Sequence, residues 1–584
     1  MIWRNAMKTL AYLTAASLLS CILLCGCDNT QYSVALDANY YTGGESSIQT
    51  ISSGRKLNAA DAPEREGYNF IGWFKDKGLT EKWDDGKDKV TSDLTLYAGW
   101  DKIAGGEIVT SASDKDFTRL NTPGKQESAY EYGAFFLPSE DDGVQPYVGD
   151  TMPYYEDGTY YVYYLKDGGD SYNHSIYLTT TTDFVTYTEQ QEVVLEASRS
   201  GGQDGWIGTG SVVKVGGKYY FFYTGHGASE ALEYKEKIMV AESDNLTSFT
   251  KIADWEITPP AELGQKNDFR DPQGYYDPET GKITLTVTAS QNNVARILKY
   301  TLDKDLKNPT YDGIIFSNTA EEDFWNLECS DTFKIGDKWY ITYSAQDDTL
   351  WYASADSQYG PYSEAKRLEG KLFYAAKHVE DGNNSYMVGW ARRAESPSST
   401  QDVAAWAGNL LVQKITQKKN GDLVLEPVDK VAEQFTARRA LKTEDTHIFA
   451  DSGSLYSYFD AFTCYESFMI TGEFRYTGSG SFGLCFDYNG RQDKYKLISI
   501  SPTDNKLRLS FNEGKTLIAE STIDIEPNKD YSFTYIQEGS VGVFYIDGMA
   551  ALTVRIYGTS GKTIRLFSEN NSVLFSSLRQ YTKS

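Results

Sequence analysis

The chain has 584 residues, of which 40% are hydrophobic, 14% aromatic and 24% charged, and its net charge is −26. This length allows several domains, and this composition is typical of a globular chain rather than a disordered one. A protein that neutralises phosphates needs a basic face, so a chain this acidic is not expected to bind nucleic acid.

The N-terminus has the form of a secretory signal. Arg4 and Lys8 precede an apolar run that ends at Leu24 and is short for a membrane span. The stretch "LCGC" resembles a bacterial lipobox, in which Cys27 becomes the lipidated first residue of the mature chain. The sequence therefore predicts a lipoprotein signal over residues 1–27 and an extracytoplasmic protein that meets the membrane only through a lipid. Ordinary signal cleavage beside a spare cysteine is the alternative.

Cysteine and histidine usage predicts no metal site. After Cys27 the cysteines are Cys329, Cys464 and Cys485, which form no CxxC motif and no Cys/His cluster. The four histidines are scattered along the chain. No feature of the sequence suggests an organic cofactor, and none is predicted.

Residues 32–100 form a small aromatic unit that ends in "VTSDLTLYAGW". This unit resembles the small β-rich repeat of bacterial surface proteins, and we expect it to act as a spacer. Trp73, Trp83 and Trp100 are expected in its core, with a sugar-stacking platform as the alternative. Residues 101–128 contain "SASDKD" and "NTPGK" and are predicted to be a linker.

A turn with Gly followed by a Tyr-rich strand occurs five times over residues 129–435: "EDGTYYVYYL", "VGGKYYFFYTG", "ETGKITLTVTA", "IGDKWYITYSA" and "EDGNNSYMVGWA". Other short β runs fill the intervals. A repeated unit of about four strands is typical of a β-propeller blade. The five copies predict a five-bladed β-propeller.

Residues 440–584 alternate apolar and polar side chains at period two, which predicts a β-sandwich. The predicted fold class is therefore all-β. It consists of a five-bladed propeller followed by a C-terminal sandwich, with a small β-rich domain at the N-terminus.

Three acidic residues stand at similar places in three of the repeats. Asp150 and Glu328 each lie eight residues before the turn glycine of their own repeat, and Asp271 lies ten residues before the turn glycine of its repeat. We expect them at equivalent positions of the innermost strands, facing the axis of the propeller. Converging carboxylates repel one another and raise the pKa of one of them, which suits glycoside cleavage by one protonated and one ionised acid. A structural cation on the axis, or an ordinary pair between Arg270 and Asp271, is the alternative.

From about residue 130 to its end, the chain resembles glycoside hydrolase family 32, the fructan hydrolases and invertases. "FRDP" matches the family's Arg-Asp-Pro motif, and "LECSDTFKIGDKWYITYS" resembles its Glu-Cys motif. "WIGTGSVVKVGGKYYFFYTG" and "YMVGWARR" are similar to its second-blade and last-blade segments. The resemblance implies a propeller joined to a sandwich, and hydrolysis that retains configuration.

The resemblance also implies roles for individual residues. It makes Asp150 the nucleophile, Glu328 the general acid/base and Asp271 the transition-state stabiliser that holds fructose hydroxyls. Arg270 orients the sugar or Asp271. Cys329 packs behind the acid and is not a nucleophile.

Four further residues are candidate substrate contacts. Trp206, Trp325 and Trp390 either shape the pocket or pack within the blades. The first motif departs from the family pattern, since Gly149 replaces the usual Asn before the nucleophile and Thr-Met-Pro replaces Pro-Asn-Gly after it. The family's Gln-Tyr-Asn-Pro stretch is also absent, and His174 in "KDGGDSYNHS" is a possible replacement contact.

The leading functional hypothesis is a retaining β-fructofuranosidase that acts on fructans or fructose-containing oligosaccharides, with a neutral glycan as its partner. One alternative is an inverting furanosidase of the arabinan or xylan type, in which base and acid stand about 6.5–9.5 Å apart instead of about 5–5.5 Å. The other is a cell-surface propeller that binds carbohydrate without cleaving it.

Overall fold

The structure is a computed structural model, and it divides into two compact units, Met1–Asp101 and Lys102–Ser584. The residues that it describes are 30–38, 46–57, 63, 68–75, 81–102, 110–111, 117, 120–121, 131–141, 143–168, 174–198, 201–227, 229, 232–264, 267–317, 324–394, 405–449, 457–486, 495–512, 514–569 and 571–584. Cys27 and the predicted signal, residues 1–27, lie outside these ranges. No helix within them is long and apolar enough to cross a membrane.

The first unit is a four-stranded sheet with the order β2-β1-β4-β3. Its strands are β1 Gln31–Asp37, β2 Ser46–Ser52, β3 Tyr68–Phe74 and β4 Leu94–Lys102. Trp73 and Trp83 are buried in its core beside Val34 and Leu96, as expected of core aromatics. The side chain of Trp100 lies outside what the structure describes.

The second unit begins with a two-residue strand and continues into a series of antiparallel sheets. The strands are β5 Thr110–Ser111, β6 Tyr147–Glu156, β7 Thr159–Asp167, β8 Ile176–Thr181, β9 Thr188–Glu189, β10 Trp206–Val215, β11 Lys218–His226, β12 Glu236–Ser243, β13 Thr250–Ile257, β14 Phe269–Asp277, β15 Lys282–Gln291, β16 Val294–Asp303, β17 Thr310–Ser317, β18 Leu327–Ile335, β19 Lys338–Ala345, β20 Leu350–Ala355, β21 Lys366–Glu369, β22 Phe373–Glu380, β23 Ser385–Arg393, β24 Ala405–Gln417 and β25 Leu423–Glu426. A 3-10 turn occupies Ala261–Leu263, and a one-turn helix, α1, occupies Asp429–Ala432.

These strands follow the five repeats of the sequence. β10–β13, β14–β17 and β18–β21 each form a four-stranded sheet, while β22–β25 and β6–β9 share one sheet through a contact between β24 and β6. Each repeat begins with a hairpin whose turn contains a glycine at a φ between 60° and 85°, a left-handed conformation that favours glycine. The first strands of the five hairpins, β6, β10, β14, β18 and β22, are called the lead strands below. Each lead strand contacts the next along the chain, and β22 contacts β6.

The remainder of the second unit is a pair of antiparallel sheets. Its strands are β26 Phe435–Arg439, β27 Thr446–Phe449, β28 Ser457–Thr463, β29 Ser467–Tyr476, β30 Phe482–Phe486, β31 Lys496–Ser501, β32 Lys506–Phe511, β33 Thr516–Thr522, β34 Tyr531–Glu538, β35 Val541–Ile546, β36 Ala550–Arg555, β37 Thr563–Ser568 and β38 Ser572–Lys583. One sheet has the order β26-β38-β29-β34-β35-β36, and the other has the order β28-β37-β30-β31-β32-β33-β5. Alternating apolar residues from both sheets form one core, in which Phe533 stacks on Phe544 with ring centroids 5.4 Å apart.

Part of the segment predicted to be a linker, residues 101–128, is bound to this second sheet. β5 pairs in parallel with β33. Asn121 is fully buried, donates to the Arg555 carbonyl (2.7 Å) and accepts from Lys496 Nζ (3.1 Å).

The two halves of the second unit are joined by buried polar contacts. Arg555 of β36 donates to the Ala391 carbonyl (2.9 Å) and to Asn409 Oδ1 (2.8 Å). Glu369 at the end of β21 is fully buried and accepts from the Thr553 backbone N–H (3.0 Å). The fold is all-β, as predicted.

Candidate active site

The lead strands share one irregularity, a β-bulge at the same place. In each, two residues face a single residue of the partner strand, and regular pairing resumes beyond them. The bulged pairs are Gly149–Asp150, Gly208–Thr209, Asp271–Pro272, Cys329–Ser330 and Ala375–Ala376. Bulges re-aim side chains and are common beside active sites.

The three predicted acids all lie at these bulges, but not at equivalent positions. Glu328 is the last paired residue before its bulge, Asp271 is the first residue of its bulge, and Asp150 is the second. The prediction of equivalent positions was therefore wrong. Counting back from a turn glycine fails because the glycine stands second in the turn after β6, last of four after β14 and first after β18. The number of residues between bulge and turn also differs, with six in β6 and five in β14 and β18.

Asp271 is buried and held from several directions. Thr209 Oγ1 donates to its Oδ1, and the Cys329 backbone N–H donates to its Oδ2 (2.8 Å). Its own backbone N–H donates to Thr224 Oγ1 (2.8 Å). Asp271 and Cys329 have φ values of 60° and 52°, which strain a residue that is not glycine, and such strain concentrates at functional sites.

Glu328 is held by a cation and a phenol. Arg270 Nη2 lies 2.9 Å from its Oε1, and the Tyr374 hydroxyl donates to its Oε2 at 2.5 Å. The Glu328 side chain is 29% exposed, so solvent or a ligand can reach it.

Asp150 accepts a hydrogen bond from the Trp390 indole at 3.1 Å. Burial, followed by the charges of Asp271 and Glu328, raises the pKa of its carboxyl to about 7 against the opposing effects of Trp390 and Lys377. The three carboxylates therefore share one electrostatic environment, in which ionising all of them is unfavourable.

Arg270 contacts three acids, because its Nη1 lies 3.3 Å from Asp268 Oδ1 in addition to its contacts with Glu328 and Glu236. Its Nη1 lies 3.1 Å from both carboxylate oxygens of Glu236, and its guanidinium stacks over Trp325 with 5.6 Å to the ring centroid. Burial opposes ionisation of Glu236, but hydrogen bonding from His226 and the charge of Arg270 lower its pKa to about 2.

A row of aromatic rings completes the surroundings of the acids. Trp390 packs edge-on to Trp406 (centroids 6.3 Å apart), and Trp406 stacks on His174 (4.6 Å, 15° between planes). His174 contacts Trp206 (5.8 Å), which stacks on His226 (5.6 Å). Burial lowers the pKa of His174, so its ring is neutral at pH 7.

These contacts form a closed circuit. His226 contacts Glu236 at 3.2 Å, Glu236 binds Arg270, Arg270 binds Glu328, and the circuit returns through Tyr374 to Trp390. Its members are Trp390, Trp406, His174, Trp206, His226, Glu236, Arg270, Glu328 and Tyr374. Asp150 joins it through Trp390, and Trp325 through Arg270.

The structure thus brings together all eight predicted site residues, and it adds others. Sequence reasoning missed Thr209, Glu236, Tyr374, Lys377 and Trp406. Tyr374 and Lys377 flank the bulge of the fifth repeat, whose position the sequence does not mark. Glu236 and Trp406 carry no motif, because long-range contacts alone bring them to the site.

Lys377 is buried next to the cluster. Its Nζ donates to the Gly210 carbonyl (2.9 Å) and to Gln273 Oε1 (3.2 Å). Burial raises the pKa of nearby Asp331 to about 6 against the charge of Lys377. Within the described residues, no group of three or more His, Cys, Asp or Glu is arranged to hold a metal ion.

An all-β chain that gathers three carboxylates, one with a raised pKa and another beside an arginine, has the architecture of a glycoside hydrolase. Comparison with known proteins supplies the family. Residues 150–427 match the Glycosyl hydrolases family 32 N-terminal domain, and residues 32–99 match the Listeria-Bacteroides repeat domain. These two matches confirm the predicted resemblance to the family and to the surface repeat.

Individual relatives agree with this assignment. A sucrose-6-phosphate hydrolase of Escherichia coli is 25% identical over 270 residues, which are 42% of this chain and 54% of that protein, so the chain spans about half the length of that relative. An exo-inulinase from Aspergillus awamori has a similar structure, with a TM-score of 0.62 and 16% identity, over 80% of this chain and 99% of that one. The chain is also similar, over 73 residues, to a Gly-rich membrane protein of Evansella cellulosilytica, at 37% identity over 12% of this chain and 8% of that protein. These likenesses agree with the family match, and the solved structure, at 16% identity, shows a shared fold.

Proposed function

We propose that this chain is a retaining β-fructofuranosidase. Asp150 is the nucleophile, Glu328 is the general acid/base, and Asp271 holds hydroxyls of the fructosyl unit. The observation that carries the proposal is the cluster itself, in which the bulges of β6, β14 and β18 each bring one carboxylate, and burial together with the charges of Asp271 and Glu328 raises the pKa of Asp150 to about 7.

The proposed reaction has two steps. Asp150 attacks the anomeric carbon, and Glu328 gives its proton to the leaving oxygen. Water, deprotonated by Glu328, then cleaves the fructosyl ester of Asp150. Asp150 must be ionised to attack, and Trp390, which donates to it, favours that form.

Several contacts support these roles. Thr209 and the Cys329 backbone N–H both donate to Asp271, so its carboxylate is fixed in orientation before a sugar arrives. Arg270 and Tyr374 hold the two oxygens of Glu328 in place. We propose Trp206, Trp325, Trp390 and His174 as substrate contacts, because they belong to the same circuit or touch it.

The proposed substrate is a neutral fructan or fructose-containing oligosaccharide. Among the described residues, Arg270 and Lys377 are the cations at the cluster, and both are engaged, Arg270 by Glu236 and Glu328 and Lys377 by Gln273. A phosphorylated sugar would therefore enter an acidic site without a free cation to bind its phosphate.

We further propose that the protein is extracytoplasmic and lipid-anchored through Cys27, with residues 32–100 as a spacer and 101–128 as a connection. The match of residues 32–99 to a surface repeat supports this location. The circular contacts among the lead strands support a five-bladed propeller over residues 129–435, followed by a sandwich over 440–584. Replacing Cys27 by Ser should move the protein from the membrane fraction to the soluble fraction, and an unchanged distribution would contradict the anchor.

The decisive experiment measures monosaccharide release from sucrose, inulin, levan and a synthetic arabinofuranoside, with Asp150→Asn and Glu328→Gln beside the wild type. Fructose release that is lost in both variants, with the first product formed in the β configuration, supports the proposal. Arabinose release with inversion would instead indicate the inverting furanosidase. Sugar binding without turnover on any substrate would indicate a carbohydrate-binding propeller.

A further inference from the structure

The position before the nucleophile has no room for a side chain. A Cβ built on Gly149 would lie 2.1 Å from Cη2 and 2.5 Å from Cζ2 of Trp406. Real Cβ atoms do not approach other atoms this closely, so Trp406 occupies the space into which the side chain of residue 149 would project. Trp406 comes from β24, more than two hundred residues away in sequence.

Trp406 is fixed in this place by its neighbours. Its ring stacks on His174 at 4.6 Å and packs edge-on to Trp390, which donates to Asp150. Both Trp406 and His174 are only half-buried, so part of each ring stays accessible beside the nucleophile.

The circuit indicates which part of a substrate meets these rings. The leaving oxygen must lie at Glu328, which Arg270 and Tyr374 hold on one side of the circuit. Trp406 lies against the neighbour of Asp150, three contacts away from Glu328 by the shorter route through Trp390 and Tyr374. The ring held between nucleophile and acid is the fructosyl unit, and the rings beside Asp150 are therefore placed against it rather than against the leaving group.

We propose that Trp406, backed by His174, is a substrate-binding residue that forms an apolar wall against the fructosyl unit. This inference rests on the proposed function. An indole packs against the C–H groups of a sugar. The Asn that the family pattern has at position 149 would instead offer polar groups to the sugar hydroxyls. Such a wall selects the fructosyl unit by its shape, and an apolar contact of this kind raises the affinity for the substrate by a modest factor.

The test compares two substrates that share the fructosyl unit, sucrose and methyl β-fructofuranoside, in the full-length protein. Trp406→Ala should raise KM roughly tenfold for both, with kcat changed less than about threefold, because the contact is made with the common unit. Gly149→Ala keeps the indole but displaces it, and it should raise both KM values in the same direction. The double variant Gly149→Asn with Trp406→Ala exchanges the wall for an amide and should recover part of the loss.

A matched control is Trp255→Ala, which removes a half-buried indole of β13 that donates to the Leu306 carbonyl at 2.8 Å. It should leave both KM values unchanged. An unchanged KM in Trp406→Ala would overturn the proposal, because Trp406 would then not contact the substrate. A rise in KM confined to sucrose would also overturn it, because Trp406 would then contact the leaving group. A fall in kcat with a displaced pH profile and constant KM would also overturn it and indicate that Trp406 only supports Asp150. Failure of the wild type to cleave either fructoside would overturn the proposed function, and this inference with it.

Discussion

Replacing Asp150 by Asn should stabilise the fold at alkaline pH while abolishing activity. The pKa of Asp150 is about 7 in the folded protein against an ordinary value of 3.8, because burial and the charges of Asp271 and Glu328 disfavour its ionised form. The folded state thus binds this proton more tightly than the unfolded chain does. Stability from this group is present below pH 4 and is lost as the pH rises to about 7.

The size of the effect follows from the two pKa values. Each pKa unit corresponds to about 1.4 kcal/mol. Relative to a pH below both pKa values, this group therefore lowers the free energy of unfolding by up to about 4 kcal/mol at pH 8 and by about 1 kcal/mol at pH 4.5. An Asn cannot ionise, and its amide oxygen can still accept from Trp390, which keeps the local geometry.

Denaturant unfolding of the wild type and Asp150→Asn at pH 8 and pH 4.5 measures this difference. The variant should gain about 2–4 kcal/mol at pH 8 and most of that gain should vanish at pH 4.5. Asp356→Asn removes a 91% exposed carboxylate and serves as the control, with no expected change beyond about 0.5 kcal/mol at either pH. Equal stability of Asp150→Asn and wild type at pH 8 would refute the argument that burial and the neighbouring charges disfavour the ionised form of Asp150.

Three further predictions concern the surroundings of the cluster. Trp390→Phe removes the hydrogen bond that lowers the pKa of Asp150, so the acidic limb of the kcat/KM profile should move to higher pH by about one unit, and an unmoved limb would contradict this role. Glu236→Gln removes one of the three carboxylates on Arg270 and leaves its Nη1 with Asp268, so the guanidinium that positions Glu328 is held less firmly. We expect kcat on sucrose to fall about 10–100-fold, because a displaced acid meets the leaving oxygen less well, and an unchanged kcat would contradict this role. Arg555→Met removes the buried donors to Ala391 and Asn409, so the melting temperature should fall, by the equivalent of about 3 kcal/mol, while KM for sucrose stays the same.

The repeats of the sequence predicted the strands well because a hairpin is a local structure. The Gly turn and the Tyr-rich strand lie within a dozen residues of each other, and the glycines that adopt the left-handed turn conformation can be recognised from the sequence. The alternation over residues 440–584 likewise indicates sheets with one buried face. The segment 101–128 was harder to interpret, because Asn121 meets its partners Lys496 and Arg555 only after the sheets have formed.

The candidate site was likewise predictable only where local sequence motifs define it. Asp271 and Glu328 lie in short motifs, whereas their exact register depends on bulges that no residue pattern marks. Glu236 and Trp406 reach the site from β12 and β24 through tertiary packing alone. The sequence gives one indirect sign of Trp406. Gly149 stands where the family pattern has a side chain, and Trp406 occupies the space of that side chain.

The pairing of β5 with β33 has a consequence for the integrity of the catalytic unit. β33 would otherwise be the last strand of its sheet, with a row of unpaired backbone groups that can template pairing with another chain. β5 covers two residues of that row, and the burial of Asn121 fastens the segment behind it. A protein trimmed to the start of the first Tyr-rich hairpin would lose this cover, and it should self-associate more readily than one that begins at residue 110.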